Sequence, residues 1–312
     1  MYLTIAFYQF IKLDNKKSIQ EHIYKFCKEN MIKGTILLAD EGINGTISGR
    51  EKNIRDFLIF IKNDSCFNNL FSKLDYKESW ASKNPFYRIK VRLKKEIVAL
   101  GVDGVSPTKK VGNYVKPEDW NDLISDPNTI IIDTRNNYEV DIGTFKDAIS
   151  PNTSTFRELP SFIEDNLDPK TPKKIAMFCT GGIRCEKATS LMIEKGFQDV
   201  YHLEGGILKY LETIDKDKSL WEGECFVFDQ RVAVTHGLKE GKYDQCYACR
   251  HPLSPDEMYS SHYIKGISCP YCYDKLTDKK KLSLTERQNQ IELAKLRGED
   301  HIGKQLNRKK YD

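Results

Sequence analysis

No stretch of this sequence approaches the roughly 18 consecutive apolar residues that a membrane-crossing helix requires. Residues 1–11 are apolar, but no basic residue precedes them, and the alternation Leu3-Thr4-Ile5-Ala6-Phe7 fits a strand better than a secretory signal. A membrane span and export are therefore not expected, and the predicted location is the cytoplasm. Flavin and nucleotide fingerprints are also missing, as is a convincing ligand triad for iron. There is no internal repeat or low-complexity block. A formal net charge of +4 is too small to identify a polyanionic partner, so the placement of charge carries more information than its sum.

What is present points to a polar globular protein, with 39% apolar and 30% charged residues. Its 312 residues exceed one typical domain, which predicts two compact units and a smaller appendage. Nine cysteines are an odd number in a long chain without an export signal, so reduced thiols are expected rather than a disulfide framework.

Residues 1–105 read as strand, helix, strand pair, helix and strand, with 2–10 extended, 17–30 and 52–61 helical, and 87–100 returning as strand. This order predicts an α+β ferredoxin-like domain with helices on one sheet face and the other face free. In Arg88-Ile89-Lys90-Val91-Arg92-Leu93-Lys94 every second residue is basic, so Arg88, Lys90, Arg92 and Lys94 should share one side of a strand. Such a row suits RNA phosphates, and it equally suits a solvated sheet face. The loop Asp40-Glu41-Gly42-Ile43-Asn44-Gly45 reads first as a tight hairpin, with Glu41 and Asn44 as lesser substrate candidates.

A connector over 106–117 leads to a second domain, 118–215. Its nearly continuous apolar strands, 129–133, 174–179 and 200–203, alternate with helices near 156–166 and 185–195. Unbroken apolar strands between helices predict a parallel sheet covered on both faces, an α/β fold. Within it, Phe178-Cys179-Thr180-Gly181-Gly182-Ile183-Arg184-Cys185 is an apolar strand ending at cysteine, then a short loop and a helix start. Ligands bind at the carboxyl ends of such strands. Amides of Thr180, Gly181, Gly182 and Ile183, the helix dipole and Arg184 would favour a thiolate at Cys179, making it acidic and nucleophilic. Cys185 is a candidate resolving thiol, or simply a packed residue.

Residues 120–211 resemble a rhodanese domain. The resemblance rests on Ile130-Ile131-Ile132-Asp133-Thr134-Arg135, Tyr138-Glu139, the Cys179 loop, and Val200-Tyr201-His202-Leu203-Glu204-Gly205-Gly206-Ile207. It implies that Cys179 is the catalytic cysteine, able to carry a persulfide cradled by the loop amides, and that Asp133 and Arg135 order loops beside it. Cysteine-dependent phosphatases place arginine six positions after cysteine. Here that position is Cys185, and Arg184 falls one residue early.

With Glu41-Gly42-Ile43-Asn44-Gly45-Thr46 and the cysteines after Phe226, nearly the whole chain resembles the tRNA uridine hydroxylase family of rhodanese-like proteins. That resemblance implies oxygen-dependent hydroxylation of C5 of the wobble uridine, with molecular oxygen as co-substrate and tRNA as partner. Sulfur transfer through a Cys179 persulfide is the alternative reading. No stable protein partner is predicted.

Cys246-Tyr247-Ala248-Cys249 and Cys269-Pro270-Tyr271-Cys272 are two Cys-x-x-Cys knuckles 19 residues apart. Four thiolates at this spacing suit a closed, structural zinc site in a zinc-ribbon-like segment, 220–278, with a disulfide or free thiols as alternatives. Residues 279–312 carry ten Lys or Arg against five Asp or Glu. They form a basic tail, partly helical over 284–296, that suits RNA or a merely solvated terminus.

Overall fold

The alternation that opens the chain meets two different surroundings in the structure, a computed structural model that describes residues 1–171 and 173–298. Strand β1 (Tyr2–Phe10) buries Leu3, Ile5 and Phe7 on one side, in a core closed by α1 (Lys16–Glu29) and α2 (Glu51–Asn63). Ile19, Ile23 and Cys27 recur every fourth residue along α1, and Ile54, Phe57, Leu58 and Ile61 form the matching stripe of α2. Each fully buried side chain of this size contributes about 1.5–3 kcal/mol.

Strands β2 (Lys33–Ala39), β3 (Gly42–Gly49), β4 (Tyr76–Ala81) and β5 (Ile89–Leu93) complete the sheet in the order β4-β1-β3-β2-β5. The first four strands make the expected ferredoxin-like α+β arrangement. Its fourth strand, however, is β4 rather than the basic segment. Strand β5 is instead an added edge, parallel to β2.

A second sheet follows. It comprises β6 (Asn113–Val115), β7 (Thr129–Asp133), β9 (Lys174–Phe178) and β10 (Val200–Leu203), all parallel in the order β6-β10-β9-β7. Strand β6 lies in the stretch read from sequence as plain connector. Ile132, Ile175 and Met177 pack on one face with α5 (Leu159–Asn166) and α6 (Ile183–Glu194). Ile131, Ala176 and Phe178 pack on the other with α3 (Pro117–Ser125) and α7 (Gly206–Thr213). Between β7 and α5 lie α4 (Asn137–Val140) and β8 (Gly143–Phe145).

Compactness divides the chain into Met1–Gly241 and a second unit from Lys242 onward. Residues 220–241, assigned from sequence to the Cys-rich segment, therefore pack with the first unit. The reason is that β11 (Trp221–Gly223) pairs with β8, and Trp221, Cys225, Val227 and Val234 enter the core around Phe145. The remaining strands of the first unit are the short pair β12 (Cys225–Phe226) and β13 (Ala233–Val234).

The second unit holds β14 (Asp244–Gln245), β15 (Pro252–Leu253) and α8 (Asp278–Leu296), whose first turn is capped by the Thr277 hydroxyl accepting from the Lys280 amide. The part of the basic tail beyond residue 298 lies outside the described residues. Among the described residues no helix is long and apolar enough to cross a membrane.

Candidate active site

Strand β9 ends at Phe178, and the chain then turns through Cys179-Thr180-Gly181-Gly182 into α6. Gly182 caps the helix at φ 100°, a conformation that side chains rarely adopt, and directs its amide to Cys179 Sγ at 3.1 Å. The outer edge of the loop is fixed by the first turn of α7, where the amides of Ile207 and Leu208 donate to the carbonyls of Cys179 and Thr180 at 3.0 Å each. Gly206 permits this approach, since a Cβ there would lie 2.5 Å from the Cys179 carbonyl oxygen. Loop carbonyls are thus drawn toward α7 while amide hydrogens remain for the sulfur.

Burial opposes a charge on Cys179, but the Cys185 thiol, the Arg184 guanidinium and the amides of Cys185 and Gly182 outweigh it and hold the thiol down at about 5. Cys185 is itself pushed well above the usual thiol range, because it is buried beside that sulfur. It also lies 3.6 Å from the Thr134 hydroxyl, so it stands as a hydrogen-bonding neighbour of the thiolate. At neutral pH Cys179 is ionised and Cys185 is not. Alkylation of Cys179 should therefore rise through about pH 5 and be flat above pH 7, since the depressed group is ionised at every pH above its own value. A rate that climbs through pH 8–9, as for a free thiol, would contradict this.

Arg184 does not reach toward the sulfur. Its Nη1 and Nη2 donate to Glu139 Oε2 and Oε1, both at 2.7 Å, and Glu139 is fully buried. Thr180 Oγ1 donates to the same carboxylate at 3.3 Å, and the Asn136 amide does so at 3.2 Å. The sequence supplied Arg184 as an anion-facing cation, whereas the fold commits it to Glu139 and leaves only its field at Cys179. Asp133 and Arg135 stand further back, 0% exposed and paired at 2.6 Å. Arg135 also donates to the carbonyls of Glu139 and Gly143, which shapes the chain behind the loop.

Cys179 itself is only 1% exposed, yet it faces a cavity of about 530 Å³, within the range of roughly 300–1,000 Å³ that holds small ligands. The opposite wall is the sheet face that the sequence reading left free. Thr4, Ala6 and Tyr8 of β1, Thr46 of β3, and Lys77 and Ser79 of β4 share that face by register and line the cavity. The two domains are fastened across it. Lys77 Nζ donates to the Gly181 carbonyl at 3.1 Å, and Tyr8 Oη donates to Glu186 Oε1 at 2.8 Å. Buried Lys187 of α6 binds Glu41 at 2.7 Å and Glu96 at 2.6 Å.

Glu41 thus acts in the interface through Lys187, while Asn44 lines the cavity, and each hydrogen-bonds the backbone of Ile97. Tyr8, Lys77 and Glu186 were not singled out from sequence. The alternation in β1 assigns Tyr8 to the non-core face, but no local signal says what covers that face.

Arg88, Arg92 and Lys94 are exposed, and Lys90 is partly buried, along the β5 edge outside this wall. They are not among the cavity-lining residues.

In the second unit, Cys246, Cys249, Cys269 and Cys272 bring their sulfurs within 4.8 Å of one another. Neighbouring pairs lie at 3.7–3.9 Å. Disulfide sulfurs lie about 2.05 Å apart, whereas thiolates about 2.3 Å from one tetrahedral metal lie about 3.8 Å apart. The donor set and spacing therefore fit a metal ion and not disulfides. His251 and His262, close by in sequence, stack on Tyr271 and Tyr273.

Residues 2–97 match the family model of the UPF0176 acylphosphatase like domain, and residues 116–213 that of the rhodanese-like domain. A tRNA uridine(34) hydroxylase of Acaryochloris marina is 53% identical over 307 residues, covering 98% of each chain. Among solved structures, a rhodanese-related protein from Thermoplasma volcanium is 23% identical over 32% of this chain and 91% of its own, with a TM-score of 0.28. A rhodanese-like domain from Anabaena sp. is 18% identical over 35% of this chain and 78% of its own, with a TM-score of 0.30.

Proposed function

The chain belongs to the tRNA uridine(34) hydroxylase family, and on that premise we propose that it is an oxidoreductase that places oxygen on C5 of the wobble uridine, with Cys179 as the reacting group. The observation that carries this reading is the Cys179 sulfur, held by the Gly182 amide at 3.1 Å, in the lining of a cavity of about 530 Å³, within the range that holds small ligands. An anticodon-loop base is unpaired, so it can leave the stack and enter such a cavity at modest cost. Within it, the Cys179 thiolate would add to C6 of uracil, making C5 electron-rich. Thr180, Gly181, Gly182 and Ile183 shape the loop around the sulfur, and Arg184 biases its charge.

Molecular oxygen is the co-substrate in this scheme: one atom would go to C5 as the C5 proton and then the Cys179 sulfur leave, and the other would depart as water with two electrons and two protons from an external reductant of the thiol class. The exposed cations Arg88, Arg92 and Lys94, with Lys90 beside them, would meet RNA phosphates outside the cavity. A reaction on tRNA through a reduced thiol supports a cytoplasmic location as part of this proposal.

The test is to incubate the purified protein with unmodified tRNA under isotopically labelled oxygen gas and to analyse the nucleosides by mass spectrometry. Labelled oxygen on uridine 34 is the expected result. Sulfur on that base, or no change, would overturn the reading.

Cys246, Cys249, Cys269 and Cys272 would hold zinc as a closed site that stabilises a segment with a very small core. Elemental analysis should find one zinc ion per chain. Its removal by a chelator should abolish hydrogen-exchange protection from Lys242 to Leu276 while leaving the first unit protected. Retained protection in metal-free protein would contradict the assignment.

A further inference from the structure

Four cationic side chains line the Cys179 cavity, namely Lys77, Arg157, Arg184 and Arg231. Arg184 is bound at both ends by Glu139, and Arg231 is bound by Asp229 and by Ser79. Arg157 is 58% exposed and leans toward Glu96, so it belongs to solvent rather than to a desolvated ligand. On the sheet wall, the Tyr8 hydroxyl gives its proton to Glu186.

Lys77 differs from all of these. It is partly buried, and among the described residues its ammonium has one hydrogen-bond acceptor, the Gly181 carbonyl of the cysteine loop. An ammonium has three N–H donors, so two are left by that bond, with the Tyr8 ring 5.8 Å from the nitrogen, on a wall of the cavity that Cys179 also lines. Burial also lowers the pKa of Lys77, which eases proton donation.

We propose that Lys77 binds the O4 carbonyl of the flipped uracil and activates the ring toward Cys179. This rests on the hydroxylase reading given above. As the S–C6 bond forms, the C5=C6 π pair moves into the C4–C5 bond and the C4=O4 pair moves onto O4. The resulting enolate oxygen is met by the Lys77 N–H, by hydrogen bond or by transfer of that proton. No oxidant takes part in this step, so it proceeds without oxygen. A fixed donor aimed at developing charge in a dry site typically contributes 10²–10³-fold in rate.

The step leaves a signature separable from hydroxylation, because the enolate can be reprotonated at C5. In deuterated water without oxygen, the full-length wild-type protein should exchange the C5 hydrogen of uridine 34. Lys77→Met should slow both this exchange and single-turnover hydroxylation by about 10²–10³-fold. Its tRNA dissociation constant and its Cys179 alkylation rate at pH 8 should each change less than about threefold, while loss of the bond to the Gly181 carbonyl should lower its unfolding temperature by only roughly 2–4 °C. Lys77→Arg, which keeps the donors and the charge, should recover at least about a tenth of the exchange rate.

Exchange and hydroxylation by Lys77→Met within about threefold of wild type would overturn the role of Lys77 while leaving the function of Cys179 intact. A collapse of alkylation in that variant would instead mark Lys77 as a tether for the Gly181 loop, and absence of exchange in the wild type would remove the enolate that Lys77 is proposed to meet. Both results would overturn the inference. Hydroxylation by Cys179→Ser would overturn the underlying reading itself.

Discussion

Cys179→Ser is expected to lower single-turnover hydroxylation of tRNA by at least about 10³-fold, because the surroundings that ionise a thiol cannot ionise a serine hydroxyl at neutral pH. The Gly182 amide, the Cys185 thiol and the field of Arg184 bring the thiol down to about 5. An alcohol begins many orders of magnitude less acidic and stays protonated. The two side chains are nearly the same size, so unfolding temperature and tRNA affinity should hold while the rate vanishes. A quench-flow assay with nucleoside analysis measures this. Activity in the serine variant above about a tenth of wild type would remove Cys179 from the chemistry.

Arg135→Met should act in the opposite way, on stability more than on rate. Arg135 and Asp133 are both 0% exposed, and Arg135 also satisfies the carbonyls of Glu139 and Gly143. Removing the guanidinium leaves a buried carboxylate without its cation. Breaking a buried pair in this manner costs about 3–5 kcal/mol, which should lower the unfolding temperature by roughly 10 °C. The rate per folded molecule should fall less than about tenfold, because Arg135 lies behind the loop and is not among the cavity-lining residues. Calorimetry with activity measured well below the transition separates the two effects. A variant of normal stability that is catalytically dead would place Arg135 in the reaction instead.

The reactive loop was legible because its physics is local. Strand end, glycine turn and helix start are contiguous, so Cys179, Gly182 and α6 could be placed from one short segment. The knuckles ending in Cys249 and Cys272 were legible for the same reason. The continuous apolar runs of β7 and β9 also identified the parallel sheet, because both faces of each strand are covered.

What joins distant segments was not legible. Tyr8 and Glu186 lie 178 positions apart, and Lys77 and Gly181 lie 104 apart. Alternation in β1 says that Tyr8 and Leu3 face opposite ways, but not that a second domain covers the Tyr8 side. Strand β4 was missed because Lys77-Glu78-Ser79-Trp80 mixes charge and polarity on a strand with one face in an interface. The neighbouring Arg88–Lys94 alternation was a clearer strand signal and was given its place in the motif. Arg184 illustrates a further limit: the sequence shows the cation beside the cysteine but not the buried Glu139 that engages it.

The central claim is that this sulfur serves to oxidise a tRNA base. It is tested most directly by comparing tRNA nucleosides from cells lacking the protein with those from cells restored by the wild type or by Cys179→Ser. The account predicts that an oxygen-bearing uridine at position 34 disappears on deletion and returns with the wild type only. Loss of a sulfur-bearing uridine instead, or restoration by the serine variant, would contradict it.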